Sequence, residues 1–503
     1  MIKKVLVANR GEIALRVMRT CREMDIETVA IYSTPDATAP HVKFADESVW
    51  VGEAASSESY LDIDKVIAAA KETGSDAIHP GYGFLSENGD FSNRCNKEGV
   101  IFIGPSAESI RLMGDKTAAR DLMDKAGVPT PPGTKDAMKD IEAALEVARD
   151  VGFPVLIKAA AGGGGKGMRI VRDEEAFKAS VKSAQSEARN AFGDDRVYVE
   201  KYLEEPRHIE FQILADRDGN TIHLFDRECS VQRRHQKVIE EAPSALLTEE
   251  LREEMAEAAV RAAKACNYEG AGTIEFLVDK HRKFYFLEMN TRLQVEHPVT
   301  EMITGIDLVE AQILVAEGET LPWRQQDIKR SGHAIECRVY AEDPVENFLP
   351  STGTLERHRM PAGPGVRVDA GVEEGGEVTI NYDPMISKLS VYAPTREKAI
   401  GKMLRALGEY EISGCKTTIP FCQFTLQHPS FRNGEYDTHF VPDYFEPEKH
   451  SLFRDLTDHD ALAATLLTVF KGQNSSPAHH KNERAGQQKK NQQESVWWTT
   501  RIK

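Results

Sequence analysis

The segment running from Gly270 to Glu301 reads GAGTIEFLVDKHRKFYFLEMNTRLQVEHPVTE, and its polar side chains could do chemistry together. Two runs rich in β-branched and aromatic residues, TIEFLV and KFYFLEMN, flank a polar turn, which predicts an antiparallel hairpin. Alternate residues of a strand share a face, so Glu288 and Asn290 group with Arg292, Gln294 and Glu296 if the chain stays extended. Glu275 on the opposing strand can join the first two. Such oxygens suit Mg²⁺, which is usually held by one or two carboxylates plus substrate phosphates. Arg292 and Gln294 could then fix a small anion, and Glu296 could take a proton beside it. The competing reading is the solvated outer face of a sheet. The position of the set directly after the aromatic run FYF weakens that alternative.

A second stretch, residues 158 to 171, reads KAAAGGGGKGMRIV. Gly162, Gly164 and Gly167 satisfy G-x-G-x-x-G, but the strand-like MRIVR follows where a dinucleotide-binding loop needs a helix. A phosphate loop of the Walker type also fails, because Gly167 follows Lys166 where Ser or Thr is required. A glycine loop at a hairpin tip remains. It is either a flexible turn or a cover whose backbone N–H groups reach nucleotide phosphates that a side chain would keep at a distance, with Lys158 adding a cation.

The elements that must position these residues are of mixed type. A chain of 503 residues predicts two to four domains. KVLVANR, EIALRVMRTCREM and TVAIYS read as strand, amphipathic helix and strand, and IDKVIAAAKETG, DAIHPG and VIFIGPS continue the rhythm of a parallel α/β sheet. The first turn, NRGEIA, lacks the dinucleotide fingerprint, so no nicotinamide cofactor is indicated. A helix, DKTAARDLMDKAG, stops at Gly127 before the proline-rich VPTPPG. Residues 135 to 152 read as another helix, and FPVLIK and MRIVR as the two arms around the glycine loop.

Composition narrows the partners. A formal net charge of −17 argues against broad nucleic-acid binding, which needs clustered Lys and Arg. The N-terminal MIKKVLVANRGE reads as a first strand rather than a signal peptide. No apolar run approaches the roughly 20 residues that cross a bilayer. Seven scattered cysteines without a Cys-x-x-Cys pair suit reduced thiols in a cytoplasm better than disulfides or zinc.

VLVANRGEIALR, AIHPGYGFLSEN, MGDK, KAAAGGGGKGM, RHIEFQIL, RECSVQRRHQKVIEEAP, EMNTRLQVEHPVTE, AIECRVYAED and NYDPMISKL together resemble the biotin carboxylases of the ATP-grasp superfamily, as found in acetyl-CoA, propionyl-CoA and pyruvate carboxylases. The resemblance covers roughly residues 1 to 446. It implies an α/β and α+β multidomain chain: a Rossmann-like pre-ATP-grasp domain over 1–113, an ATP-grasp domain over 114–330 with a mobile glycine-rich lid at about 130–203, and a C-terminal biotin carboxylase domain over 331–446. Residues 447–503 would add a helix, a polar linker and a Trp-containing tail. The implied reaction is MgATP-dependent carboxylation of carrier-bound biotin by bicarbonate through carboxyphosphate. The implied ATP contacts are Lys116, Lys158, Gly164, Gly165, Glu200, Lys201, Leu203, His208, Gln232, His235, Glu275 and Glu288. Mg²⁺ (or Mn²⁺) would sit on Glu275, Glu288 and Asn290. Bicarbonate would lie among Lys237, Arg292, Gln294 and the Val295 backbone, with Glu296 as its base. Arg338 would stabilise the biotin ureido oxygen, and Tyr82 would lie near the biotin ring.

Another ATP-grasp ligase would share the metal set but need not carry RLQVEH, and a non-catalytic ATP-binding subunit would have lost some of these groups. No A-M-K-M biotinyl motif occurs, so carrier and carboxyltransferase are expected on separate chains. A homodimer is implied by the resemblance. The polar stretch after DHDALAATLLTVF reads as linker, and the terminal SVWWTTRIK as either a frayed end or a docking anchor for the carrier or transferase.

Overall fold

The computed structural model describes residues 1–134, 136–159, 168–192, 195–234, 236–450 and Leu466. The described residues up to His450 belong to one compact unit. The polar linker and the Trp-containing tail expected near the end of the chain therefore lie outside the described residues, as does the preceding helix apart from Leu466, which is helical.

The first layer is the expected parallel sheet. Its strands are β1 (Lys4–Val7), β2 (Glu27–Ser33), β3 (Glu47–Gly52), β4 (Ala77–His79) and β5 (Ile101–Phe102), in the order β3-β2-β1-β4-β5. All its pairings are parallel. The near-continuous apolar run of β1 is what a strand covered on both faces requires, and Val5, Leu6 and Val7 are fully buried. The helix Gly11–Glu23 carries buried Ile13, Ala14, Val17, Met18 and Cys21, the helical spacing that seals one face of this sheet.

A small antiparallel sheet follows: β6 (Val155–Ala159), β7 (Arg169–Val171) and β8 (Val197–Lys201), with β6 in the middle. The two arms predicted around the glycine stretch do pair, Leu156 opposite Ile170. Residues 160–167, including Gly164 and Gly165, lie outside the described residues. The helix read over 135–152 is shorter, Ile141–Val151. Asp140 stops it from starting earlier by accepting the Glu142 and Ala143 amides at 2.9 and 3.3 Å, an N-cap that outcompetes continuation. Met138 instead bridges Val197.

The largest layer is an eight-stranded sheet in the order β13-β12-β9-β10-β11-β14-β21-β19. Its strands are β9 (Arg207–Ala215), β10 (Thr221–Arg233), β11 (Gln236–Ala242), β12 (Gly270–Val278), β13 (Phe284–Asn290), β14 (His333–Tyr340), β19 (Val366–Ala370) and β21 (Met385–Ala393). Short pairs surround it: β15 (Glu342–Asp343) with β16 (Leu349–Pro350), β17 (Gly353–Thr354) with β20 (Glu377–Val378), and β18 (Arg357–Arg359) with β22 (Glu411–Ser413). The predicted hairpin is β12–β13, with Glu275 directly opposite Glu288 and Thr273 opposite Asn290. Register slips by one residue after that pair, so Phe276 faces Phe286 and Leu287 is the extra residue of a bulge. Leu287 and Glu288 are consequently both exposed while Phe286 and Met289 are buried. A bulge re-aims a side chain in this way beside a functional site.

Candidate active site

Strand register assembles the site. Glu288, Glu275, Glu210 and Arg227 lie in one row across β13, β12, β9 and β10, and Gln232 stands opposite Lys237 where β10 meets β11. The chain does not stay extended past Asn290, which corrects the expectation that Arg292, Gln294 and Glu296 continue the face of β13. The strand ends at Asn290, and a turn leads into the helix His297–Thr304, with Glu296 at its N-cap and Pro298 in its first turn. Proline tolerates that position because its missing N–H would be unpartnered there. The turn folds these three side chains back over the strands.

Lys237 is the hub. Its ammonium lies 2.5 Å from Glu210, 2.7 Å from Glu275 and 2.7 Å from Glu296. Glu275 also accepts Asn290 Nδ2 at 2.9 Å and Gln294 Nε2 at 2.7 Å, and His208 Nε2 lies 2.9 Å from it. Gln232 donates to His208 Nδ1 at 3.0 Å, which leaves the ring proton on the nitrogen facing Glu275. Arg338 on β14 donates to Glu240 at 2.6 Å and to Glu296 at 2.9 Å. Burial pushes the Glu296 carboxyl up, yet Lys237, Arg338 and Arg227 outweigh it and hold the group well below the usual carboxylate range. Lys237 is driven the other way: desolvation opposes its charge, but three carboxylates raise it well above an ordinary lysine.

Gln294 is clamped from both sides, accepting Arg227 Nη2 at 2.6 Å while donating to Glu275. Arg292 donates to Glu87 at 2.8 Å and to Asn290 Oδ1 at 2.9 Å, and the Val295 carbonyl accepts Lys388 at 2.9 Å. Tyr82 donates its hydroxyl to Glu12.

The donor set fits a hard divalent cation. Glu275 is held ionised, because burial is outweighed by Lys237 and His208. Glu288 makes no hydrogen bond or ion pair among the described residues, and desolvation followed by repulsion from Glu275 pushes its carboxyl up. Two carboxylates in mutual repulsion beside an amide oxygen are what Mg²⁺ relieves.

The remaining ATP candidates lie on other elements. Lys158 on β6 pairs with Glu200 on β8, and Arg120 reaches Glu200 at 3.3 Å. Lys201 donates to the Gly152 and Phe153 carbonyls at 2.9 and 3.2 Å, and Leu203 is buried. Lys116 opens the helix Lys116–Lys125, which Asp115 caps, and its charge favours ionised Glu288. Lys158, Glu200 and Lys201 make no hydrogen bond to the Glu275 network among the described residues. His235 lies outside them.

Sequence reasoning missed Glu210, Arg227, Glu87, Glu240, Glu12 and Lys388. The signal for Glu210 was present: His208, Glu210 and Gln212 alternate within β9, every residue of which is buried, and charged residues are almost never fully buried unless paired.

Comparison with known proteins extends the geometry. Residues 1–110 match the family model for the biotin carboxylase N-terminal domain, 115–324 that for the carbamoyl-phosphate synthase L chain ATP-binding domain, and 336–443 that for the biotin carboxylase C-terminal domain. A pyruvate carboxylase subunit of Methanothermobacter thermautotrophicus is 55% identical over 88% of this chain and 90% of its own. Biotin carboxylase 1 of Bacillus subtilis is 52% identical over 88% and 99%. Among solved structures, a Campylobacter jejuni biotin carboxylase–β,γ-ATP complex superposes with a TM-score of 0.83 at 52% identity, over 88% of this chain and 99% of that one. The biotin carboxylase domain dimer of Hydrogenobacter thermophilus 2-oxoglutarate carboxylase, with MgADP, ADP and bicarbonate, gives 0.81 at 50% identity, over 89% and 100%.

Proposed function

The chain belongs to the biotin carboxylase family, and from that premise we propose how its own residues carry the reaction, ATP-dependent carboxylation of biotin by bicarbonate. The observation that carries the reading is Lys237, one ammonium that touches Glu275 at the metal-binding end and Glu296 at the proton-accepting end, 2.7 Å from each.

Glu275, Glu288 and Asn290 would hold Mg²⁺ (or Mn²⁺), which when bound offsets charge on the ATP phosphates. Lys237, Arg292, Gln294 and the Val295 backbone hold bicarbonate and concentrate a weakly nucleophilic anion. Glu296 is a poor base while both of its cations compensate it. Bicarbonate recruits Lys237, and biotin recruits Arg338, so substrate binding itself raises the basicity of Glu296. Glu296 then takes the bicarbonate proton. A bicarbonate oxygen forms the new bond to the γ-phosphorus, the bond to ADP breaks, and carboxyphosphate results. Arg338 stabilises negative charge on the biotin ureido oxygen, next to Tyr82. Lys116, Lys158, Glu200, Lys201, Leu203, His208, Gln232 and His235, with Gly164 and Gly165, bind the nucleotide.

We assign residues 1–113, 114–330 and 331–446 to the three domains. The carboxyl acceptor is biotin on a carrier protein, and the carrier and carboxyltransferase are separate chains; relatives that are themselves subunits of carboxylases support this. The Hydrogenobacter domain dimer supports a homodimer, which sedimentation velocity tests. No helix of the described residues is long and apolar enough to cross a membrane, and a cytoplasmic site of action accords with the scattered cysteines.

The test is bicarbonate-dependent ADP release, with and without free biotin, by wild type and Glu296→Ala. Biotin-stimulated turnover lost in the variant with ATP binding retained is the expected result. ADP release by wild type that ignores bicarbonate overturns the assignment.

A further inference from the structure

We propose that Lys388 is a positioning residue that couples the bicarbonate turn to the biotin-facing Tyr82; the inference rests on the site assignment above. Lys388 lies in β21, in register with Arg338 on β14 and with Asp369 on β19. Its side chain is wholly inaccessible to solvent, a placement that is costly for an ammonium unless its surroundings compensate the charge. The Nζ donates to the Val295 carbonyl at 2.9 Å, lies 3.2 Å from Glu12 Oε1 and is 4.0 Å from Asp369. The same Glu12 oxygen accepts the Tyr82 hydroxyl, and Glu12 Oε2 has no partner among the described residues. One cation thus orients a peptide between Gln294 and Glu296 and, through Glu12, a phenol on the biotin side.

Charge balance alone does not account for this arrangement. Asp369 already has Arg367 at 2.8 Å and Arg19 at 3.4 Å, and neutralising Glu12 does not require a bond to the Val295 carbonyl. That bond completes the hold on the turn. Gln294 is fixed through its side chain by Arg227 and through its carbonyl by His297 Nδ1 at 2.7 Å. Glu296 is fixed by Lys237 and Arg338. Val295, between them, is held by Lys388.

The experiment measures KM for bicarbonate, free biotin and ATP in the full chain for wild type, Lys388→Met and Glu12→Gln. In Lys388→Met, KM for bicarbonate and for biotin both rise about tenfold, the scale of losing a charged hydrogen bond, while KM for ATP stays at the wild-type value. Glu12→Gln, which keeps the buried cation, raises KM for biotin alone and carries the test whether or not Lys388→Met folds. A biotin KM unchanged in Glu12→Gln, bicarbonate and biotin KM values unchanged in Lys388→Met, or an ATP KM rising in step with them overturns the inference. Wild-type turnover that needs neither bicarbonate nor biotin instead faults the underlying site assignment.

Discussion

In its proposed role as the base, Glu296 is a carboxylate both prepared for proton transfer and restrained from it by the same neighbours. Lys237 and Arg338 keep it ionised, so its acid limb lies well below that of a free glutamate. Replacing Lys237 by Gln removes the largest opposing charge, and burial then drives the Glu296 carboxyl upward. The acid limb of the bicarbonate-dependent rate should move to higher pH in that variant, as a pH–rate profile would read. Glu296→Gln should cost about 10²–10⁴-fold in turnover, the usual worth of a positioned base, with ATP affinity unchanged by equilibrium titration. The types of these residues were legible in RLQVEHPVTE. Their placement was not, because alternation along a strand holds only while the chain is extended, and here Glu296 caps a helix and the turn reverses the backbone.

Among the elements, the β12–β13 hairpin was legible from its apolar runs, whereas the rows that cross it were not. A bulge at Leu287 and the pairing of Glu210 with Glu275 are matters of register, which a single strand's sequence does not encode. A second hidden pair stands further along the sheet. Glu240 on β11 lies opposite Glu336 on β14, both buried, and Glu336 accepts Ser390 at 2.6 Å. Burial comes first in both and raises Glu336 to about 8 and Glu240 to about 7, with repulsion from Glu240 a smaller contribution at Glu336. Arg338, Lys237 and Lys388 oppose the shifts, and Glu296 adds to that of Glu240. A folded pKa above the unfolded one favours the native state fully at low pH, and that contribution is lost as pH rises from about 4.3, the unfolded glutamate value, through the folded value. The stability of Glu336→Gln relative to wild type, read by denaturant unfolding, should therefore rise between about pH 4.3 and about pH 8. An identical pH dependence of stability in the two proteins would refute the raised Glu336 titration.

On the scale of the whole molecule, Arg292, the arginine proposed to hold the anion, depends on a distant part of the chain. Glu87, in the loop between β4 and the helix Gly89–Lys97, accepts the Thr291 amide at 3.1 Å and Arg292 at 2.8 Å. The N-terminal parallel sheet was read readily from its strand–helix rhythm, but its contribution to the site could not be, since 205 residues separate the two partners. Glu87→Gln should raise KM for bicarbonate about tenfold, by loss of a charge-assisted bond, with little change for ATP; steady-state kinetics in varied bicarbonate checks it.

The eight-stranded sheet runs without a gap from β13 to β19, and β11 joins β14 through the pairs Ile239–Cys337, Glu240–Glu336, Glu241–Ile335 and Ala242–Ala334. Cutting the polypeptide between residues 330 and 331 would sever the thread and leave the weave asking to be rejoined. The N-terminal piece alone would bare an unpaired edge at β11, an aggregation template, while the C-terminal piece would carry Arg338 and Lys388 with nothing to act on. Produced together, the two pieces should find each other by strand addition and recover biotin-stimulated ADP release, so that the catalyst behaves as a split reporter whose signal is its own turnover.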